Sequence, residues 1–239
     1  ADAIAKNNGV VYRTTDFDEV IDQVHALMSE PHDYLTLVID SYTKLFEEKR
    51  EEGANEVGTE WGRHTSYAEK WARRIGNLIA QTDMNVVVTA HSKKEYGEIT
   101  NNRGKKETVV IGETFDGYKK LDYDFDTWFS LKRDKVGRRI ATTVKTRLTE
   151  FPDQEQFEWG YPVIAERMGQ DFLESKSRLV ELATPEQVEQ FTALYCRLSE
   201  DDRKRLKLSK IVKSLDEVPD LPLARIEKGI EFLKSHLSQ

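Results

Sequence analysis

The chain has 239 residues, of which 38% are hydrophobic and 33% charged, with a formal net charge of −7. No apolar run approaches the roughly 20 residues that a membrane-spanning helix needs, and no signal peptide opens the chain. The single cysteine, Cys196, excludes an intramolecular disulfide and a cysteine-rich metal site, and it favours a reducing, cytosolic compartment.

The charge is unevenly distributed along the chain. From Ser92 to Arg147, 14 Lys and Arg stand against 9 Asp and Glu, which gives +5 and leaves −12 for the rest. Positive charge concentrated in one segment is typical of a nucleic-acid contact. A lysine-rich hairpin that is simply solvated is the alternative.

The first elements predict a β-α-β unit. Gly9–Arg13 is typical of a short strand, and Thr15 or Asp16 can cap the helix that follows. The apolar residues of this helix fall at helical spacing: Phe17, Val20, Ile21, Val24, Leu27 and Met28. Pro31 ends the helix, and the apolar run 35–39 predicts the next strand. This order indicates a parallel sheet with a right-handed crossover.

Asp40 and Ser41 follow that apolar run directly. An uninterrupted Val/Ile/Leu run suits a parallel strand buried on both faces. A carboxylate at its C-terminal end lies where open α/β sheets bind ligands, and there it can hold Mg²⁺ against nucleotide phosphates. The pattern is that of a Walker B strand, and a strand ending in a turn-forming Asp-Ser is the alternative.

A second β-α-β unit follows. The charged stretch Glu47–Glu60 predicts a mobile loop or a frayed helix end, and Ser66 with Glu69 forms a capping-box pattern that opens a helix. Asn85–His91 predicts a second buried strand that ends in a polar residue. The polar, glycine-bearing segment 93–120 is long for a connection, which is typical of a functional or disordered loop.

The last part of the α/β region predicts an edge hairpin, and the tail predicts helices. Segments 126–131 and 139–147 alternate as strands around the turn 134–137. Phe151-Pro152 ends this region. Thr184, Ser199 and Asp220 can each cap a short amphipathic helix. The predicted organisation is an α/β core over 1–152, a linker or helix over 153–183, and a small helical domain over 184–239.

Three segments together carry a resemblance to a known family: Leu37–Thr43, Asn85–Lys94 and Lys145–Arg147. They resemble the RecA-like ATPase core and, more narrowly, the phage-type RecA-like ATPases of single-strand annealing and recombination, the Sak and AAA-ATPase families. The resemblance covers roughly residues 9–150. It implies an α/β fold with a mostly parallel twisted sheet flanked by helices, an edge hairpin, and a small C-terminal helical module.

The resemblance also implies a site for ATP and Mg²⁺. Asp40 would organise the metal with support from Ser41, and His91 would sense the γ-phosphate. Lys145 and Arg147 would act in trans on the nucleotide of an adjacent subunit, as arginine fingers do. The alternatives are a strand-end histidine bonded to a nearby loop, and two cations that face solvent.

The segment after the second strand matches the DNA-contacting loop of these proteins in position. Phosphate contacts and base stacking would come from Lys93, Lys94, Tyr96, Arg103, Lys105 and Lys106. Phe115 is an alternative to Tyr96 for the stacking. The implied partners are single-stranded DNA, further copies of the chain in a ring or filament, and a single-strand-binding protein, without a membrane. The implied location is the cytoplasm of the bacterial host cell of a phage.

The sequence departs from the family in one respect. It contains no phosphate loop of the form Gly-x-x-x-x-Gly-Lys-Ser/Thr. Gly112–Gly117 has the glycine spacing, but Tyr118 stands where the lysine is needed. Because the chain begins with Ala1, just before the region of resemblance, we expect an N-terminally incomplete ATPase, with a natural pseudo-enzyme as the alternative. Residues 1–239 alone are expected to hydrolyse ATP poorly.

Three functions are consistent with this pattern. The leading one is an ATP-dependent, oligomeric single-stranded-DNA-binding protein of recombination or annealing. The second is a non-catalytic RecA-like scaffold in a replication or recombination complex. The third is a replicative helicase or packaging motor with the same core.

Overall fold

The computed structural model describes residues 9–100, 104–175 and 178–237. The helices are α1 Phe17–Ser29, α2 Tyr42–Val57, α3 Arg63–Ile79, α4 Tyr161–Met168, α5 Gln170–Leu173, α6 Pro185–Cys196, α7 Glu200–Arg205 and α8 Leu223–Leu237. The strands are β1 Thr36–Ile39, β2 Asn85–Val88, β3 Ser92–Thr100, β4 Lys106–Phe115, β5 Thr127–Arg133, β6 Arg139–Thr146 and β7 Gln156–Glu158. Short 3₁₀ turns lie at Glu60–Gly62, Leu121–Asp124, Leu208–Lys210 and Leu215–Asp220. The chain is therefore of mixed α/β class, as the sequence predicts.

The strands form three small sheets. β1 and β2 pair in parallel, β3 and β4 form an antiparallel hairpin, and β5, β6 and β7 form an antiparallel sheet in that order. A mostly parallel sheet is thus not confirmed, since one pair among the described residues is parallel. The predicted strand at Gly9–Arg13 is wrong, because this segment forms no regular secondary structure.

The parallel pair is buried on one side only. Ile39 is 7% exposed, whereas Val38 and its register partner Val87 are 57% and 41% exposed. The expectation that these strands are buried on both faces is therefore wrong. An apolar run alone cannot distinguish a two-sided from a one-sided environment, because the same residues suit both.

Helix α1 confirms the apolar spacing read from the sequence. The Asp16 carboxylate accepts a hydrogen bond from the Asp18 amide at 2.8 Å and so satisfies one of the unpaired donors of the first turn. The buried stripe consists of Phe17, Ile21, Val24 and Met28, each at most 1% exposed. Pro31 follows the helix end, since a proline cannot continue the hydrogen-bonded ladder.

The charged stretch Glu47–Glu60, predicted as a mobile loop or a frayed helix end, is the second half of helix α2 as far as Val57. Gly53 lies inside this helix, where an added Cβ would lie 2.8 Å from the Tyr67 ring of α3, so the glycine permits close helix packing. Lys49 points inward and is paired with Asp18 at 3.0 Å and with Glu52 at 2.7 Å. Because both carboxylates compensate the buried charge of Lys49, this position of the helix can be buried in spite of its polar sequence.

Segment 93–120, predicted as a long connection, is largely the β3–β4 hairpin. Most side chains of both strands of this hairpin are exposed, with no buried face. The β5–β6 hairpin is confirmed, but it lies in a separate antiparallel sheet and not at the edge of a parallel one, and β7 adds a third strand after Pro152, within the predicted linker. Ala141, Phe151 and Phe157 form the buried cluster beneath this sheet.

The chain divides into two compact units. The first comprises Ala1–Val20, Asp33–Ala80 and Met84–Ser177, and the second comprises Ile21–His32, Gln81–Asp83 and Arg178–Gln239. Among the described residues, no helix has the length and apolar character needed to cross a bilayer.

Helices α6 and α7 of the second unit start where the sequence predicts. Thr184 and Gln187 form a complete capping box at α6, and Ser199 caps α7. Asp220 is not the N-cap of α8, because this helix begins at Leu223, and the buried Asp220 carboxylate lies 2.7 Å from a ring nitrogen of His25. The core of the unit is assembled from short amphipathic segments: Phe191, Leu198, Leu208, Val212, Val218, Leu221, Ile226, Ile230 and Leu233.

Candidate functional site

The parallel register of β1 and β2 brings two polar side chains together. Ile39 lies opposite Val88, so the next residues, Asp40 and Thr89, are neighbours. The Thr89 hydroxyl donates a hydrogen bond to Asp40 Oδ1 at 2.5 Å. Asp40 is exposed, and its Oδ2 has no hydrogen-bond partner among the described residues. The carboxylate is therefore oriented by one oxygen while the other is accessible to a ligand.

Ser41 contributes a second unsatisfied group at this edge. Its Oγ is buried and has no hydrogen-bond partner among the described residues. It holds the N-cap position of α2, yet its side chain makes no capping bond. A buried hydroxyl without a partner costs free energy, which a bound group that hydrogen-bonds it would recover.

Thr43 links the end of β2 to the base of the β3–β4 hairpin. Its hydroxyl, 1% exposed, accepts a hydrogen bond from the His91 amide at 2.9 Å and donates one to the Asp116 carbonyl at 2.7 Å. The Asp116 amide in turn donates to the His91 carbonyl at 2.7 Å. The Asp116 carboxylate is paired with Lys93 at 2.6 Å. His91 and the hairpin base therefore form one hydrogen-bonded unit.

An aromatic layer supports this unit from below. The Tyr42 ring is fully buried between Phe17 and Phe46, with ring centroids 5.8 and 6.2 Å away. Burial raises the pKa of the Tyr42 phenol, so the side chain stays neutral. Gly117 passes close to this ring, since an added Cβ would lie 2.8 Å from Tyr42 Cε1. The backbone after β4 thus depends on a glycine at this position.

Lys145 and Arg147 lie at the end of β6 and contact a neighbouring loop. Lys145 Nζ donates to the carbonyls of Asp122 and Phe125 and lies 5.2 Å from the centroid of the Tyr123 ring. Arg147 donates to the Tyr123 carbonyl at 2.6 Å and lies 3.6 Å from the Asp126 carboxylate. None of these contacts involves Asp40 or His91. Both cations therefore hold the 122–126 segment of their own chain.

The predicted DNA-contacting residues lie on the β3–β4 hairpin, except Arg103, which lies outside the described residues. Lys106 is paired with Glu98 at 2.9 Å, whereas Lys94 makes no ion pair with a described residue. Lys105 and Tyr96 are exposed, and Tyr96 lies opposite Val110 in the register. Tyr96 is accessible for stacking on a base.

Phe115, the alternative stacking residue, is less accessible than Tyr96. It is half-buried at the end of β4, with its ring 5.4 Å from that of Trp128 in an edge-to-face arrangement. This contact joins the hairpin base to β5. Phe115 therefore has a packing role that Tyr96 does not have.

Sequence reasoning did not identify Thr43, Thr89 and Asp116. Thr89 could have been found by aligning the two apolar runs as parallel partners, because it then faces Asp40. Thr43 and Asp116 are 73 residues apart, and no sequence spacing signals their hydrogen bond.

The described residues contain no cluster of three or more His, Cys, Asp or Glu side chains able to hold a metal ion. A metal at Asp40 would therefore need oxygen ligands from water or from a bound phosphate. This is the coordination that Mg²⁺ commonly adopts at nucleotide sites.

Comparison with known proteins identifies the family of the chain. A family model described as AAA domain matches residues 2–150, which is more than half of the chain. No curated protein and no solved structure matches the chain. On the strength of the family match, the chain belongs to the AAA domain family, a family of the P-loop ATPase type.

Proposed function

We propose that this protein is an ATP-dependent single-stranded-DNA-binding protein of recombination or annealing. It acts as a ring or filament of identical subunits with nucleotide at their interfaces, in the cytoplasm of a phage-infected bacterium. One observation carries the proposal. The parallel register of β1 and β2 places Thr89 beside Asp40, and Thr43 ties His91, two residues further along the chain, to the base of an exposed hairpin.

The residues at the strand ends fit the metal side of a nucleotide site. The free oxygen of Asp40 suits Mg²⁺, and the unpaired Ser41 hydroxyl suits a water or phosphate oxygen beside it. Bound Mg-ATP supplies a phosphoanhydride bond that hydrolysis can break. Residues 1–239 contain no phosphate-loop sequence, so their contribution is the metal side of the site.

The hairpin supports DNA binding through its accessibility. Both strands are mostly exposed, so their side chains can reach an extended ligand. Tyr96 offers an aromatic face, and Lys94 offers a cation without a carboxylate partner among the described residues. Stacking and phosphate contacts together are how sequence-independent single-strand binders work.

Hydrogen bonds connect the strand ends to the hairpin, and through them nucleotide binding can change DNA binding. A phosphate near His91 would shift the backbone that Thr43 and Asp116 share with the hairpin. Loss of that phosphate on hydrolysis would reverse the shift. The finer assignment to a RecA-like fold of phage type rests on the strand-end residues and on the hairpin that ends in Lys145 and Arg147.

The direct test measures DNA-stimulated ATP hydrolysis by the full-length protein and by its Asp40→Asn variant. Asparagine keeps the shape and can still accept the Thr89 hydrogen bond, but it removes the charge that attracts Mg²⁺. We expect wild-type hydrolysis to be stimulated by single-stranded DNA and the variant to lose Mg-dependent turnover while its melting temperature is unchanged. The exposed Asp22→Asn variant on α1 is the matched control. Unchanged turnover in Asp40→Asn would contradict the assignment of the site.

Two further measurements, of Mg-ATP binding and of strand annealing or displacement, separate the alternatives. If full-length protein neither binds Mg-ATP nor changes oligomeric state with it, the scaffold function replaces the ATPase function. Annealing of complementary strands without unwinding of a duplex supports the proposal. Strand displacement on a forked duplex would instead support a helicase.

A further inference from the structure

The turn end of the β5–β6 hairpin carries a dense group of cations away from the strand-end site. Residues 132–139 contain five Lys or Arg and one acid, Asp134. All five cations are exposed: Lys132, Arg133, Lys135, Arg138 and Arg139. The β3–β4 hairpin, by contrast, contains four lysines and four glutamates among its described residues. The positive charge of the segment 92–147 is therefore concentrated at the β5–β6 turn.

Carboxylates near this turn neutralise only some of the cations. Asp134 accepts hydrogen bonds from the Arg138 side chain at 2.7 Å and from the Arg138 amide at 2.9 Å, which fixes the turn. Lys132 is paired with Glu113 at 2.6 Å. The charge of Glu158 on the adjacent strand attracts the Arg138 guanidinium. Arg133, Lys135 and Arg139 have no carboxylate partner among the described residues.

Arg133 and Arg139 are direct partners in the antiparallel register. Their Cα atoms are therefore about 5 Å apart, with both side chains on the same face of the hairpin. Like charges directly opposite each other destabilise a β-hairpin. The Arg133 guanidinium donates to the carbonyl of Gly137 at 3.3 Å, which leaves its charge uncompensated. An anion between the two guanidinium groups would remove this repulsion.

We propose that this hairpin end binds the phosphate backbone of single-stranded DNA, with Arg133 and Arg139 flanking one phosphate. Arginine suits this role because its planar fork of donors matches phosphate oxygens. No aromatic residue on which a base could stack lies between Leu131 and Arg139, so the contact we propose is with the backbone. The core of a protein interface is depleted in charge, whereas nucleic-acid interfaces are rich in positive charge. This inference deepens the proposed function by adding a second DNA-contacting surface.

The test compares two double variants of the full-length protein that lose equal charge. Arg133→Gln/Arg139→Gln removes the pair, and Arg197→Gln/Lys207→Gln removes two exposed cations of the second compact unit. Fluorescence anisotropy with labelled oligothymidylate is measured across a salt series, with and without Mg-ATP. Each neutralised phosphate contributes about 0.7 to the slope of log K against log salt, and the pair flanks one phosphate, so we expect the first variant to lose about 0.7. Its affinity at 0.1 M salt should fall about 5-fold, while the control binds like wild type.

The outcomes separate this inference from the proposed function. If the wild type binds DNA and the Arg133/Arg139 variant binds as the control does, the inference is wrong and the proposed function is unaffected. DNA binding that is lost in the variant but insensitive to Mg-ATP in the wild type supports the inference and contradicts the ATP-dependent function. A wild type that does not bind the oligonucleotide at low salt contradicts both.

Two readouts exclude a structural role and a protein-binding role. Because the variant relieves repulsion, its melting temperature should be equal to or above that of the wild type. A marked fall in melting temperature would overturn the inference by showing that the pair stabilises the fold. Sedimentation velocity detects the other possibility, since a variant that loses self-association but keeps DNA affinity would assign the surface to contacts between copies.

Discussion

The hydroxyl of Thr43 makes two hydrogen bonds that hold the candidate site together. It is the one side chain that bonds both the end of β2 and the base of the hairpin among the described residues. Thr43→Val keeps the shape but leaves the His91 amide and the Asp116 carbonyl without this partner. We expect a loss of about 1–3 kcal/mol in unfolding free energy, measured by urea denaturation. Thr43→Ser retains the hydroxyl and should lose less.

Function gives a second readout for the same pair of variants. If Thr43 transmits the nucleotide state, Thr43→Val should bind Mg-ATP and DNA separately while ATP no longer changes DNA affinity. Thr43→Ser should keep this coupling. Normal coupling in Thr43→Val would show that the signal takes another route.

Tyr67 provides a prediction about pH. Its phenol donates to Glu52 at 2.5 Å, and this bond to a carboxylate raises the pKa of Tyr67 to about 12. A raised tyrosine pKa means that the stabilisation is fully present below pH 10, the ordinary value, and is lost as the pH rises through about 12. Alkaline pH should therefore weaken this link between α2 and α3, while neutral pH should not affect it.

Absorbance at 295 nm, as the difference between wild type and Tyr67→Phe, isolates this phenol from the other tyrosines. The difference should titrate near pH 12 in the wild-type background. In a Glu52→Gln background the midpoint should move towards the ordinary pKa of about 10. An unmoved midpoint would mean that Glu52 does not set the pKa.

At the scale of elements, the contact between Gly117 and the Tyr42 ring fixes the path of the chain after β4. Gly117→Ala would place a methyl group 2.8 Å from the buried ring, which Phe17 and Phe46 hold in place. We expect a loss of about 1–3 kcal/mol from overpacking, measured by thermal or urea unfolding. Gly112→Ala on β4 is the control, because its nearest contact would be Glu95 at 3.8 Å. Equal stability of the two variants would contradict the packing argument.

The sequence predicts helices better than sheets in this chain. The stripe of α1 and the capping box of α6 are local patterns, so their positions follow from neighbouring residues. The charged half of helix α2 is predicted as a mobile loop or a frayed helix end, because two partners of Lys49, Asp18 and Trp71, are distant in sequence. Sheet pairing is also non-local, which is why the predicted strand at Gly9–Arg13 is wrong and the β3–β4 hairpin is not predicted.

The candidate site was predictable in part. Asp40 and His91 stand out because a polar residue follows an apolar run, and the structure brings their strands together. The hydrogen bonds through Thr43 require tertiary contacts that no spacing reveals. The register that opposes Arg133 and Arg139 encloses one residue more than the predicted turn 134–137, and loop length of this precision is not readable from the residue types.

At the scale of the whole molecule, variants of Arg147 can show whether subunits assemble with their sites at shared interfaces. Its bonds to the Tyr123 carbonyl and the Asp126 carboxylate are at the surface, where such contacts contribute little and can be exchanged. If Arg147 acts on a neighbouring subunit, Arg147→Ala alone should be inactive. Mixing it with Asp40→Asn subunits should restore part of the ATP hydrolysis, because mixed interfaces combine an intact Asp40 with an intact Arg147. Arg147→Lys is the matched control for charge without the planar fork.

The mixture should be measured over a range of subunit ratios. Activity that peaks at an intermediate ratio supports action in trans. Activity that stays at the level of the separate variants at every ratio would contradict it.

The open face of the β1–β2 pair favours self-association of the protein in solution. Val38 and Val87 form an exposed apolar pair, and each strand has one neighbour among the described residues. Unpaired strand edges beside an apolar surface are templates for strand addition. Any preparation that leaves this face uncovered is therefore prone to aggregate as its concentration rises, and a lysine at position 38 would act as a gatekeeper without disturbing buried Ile39.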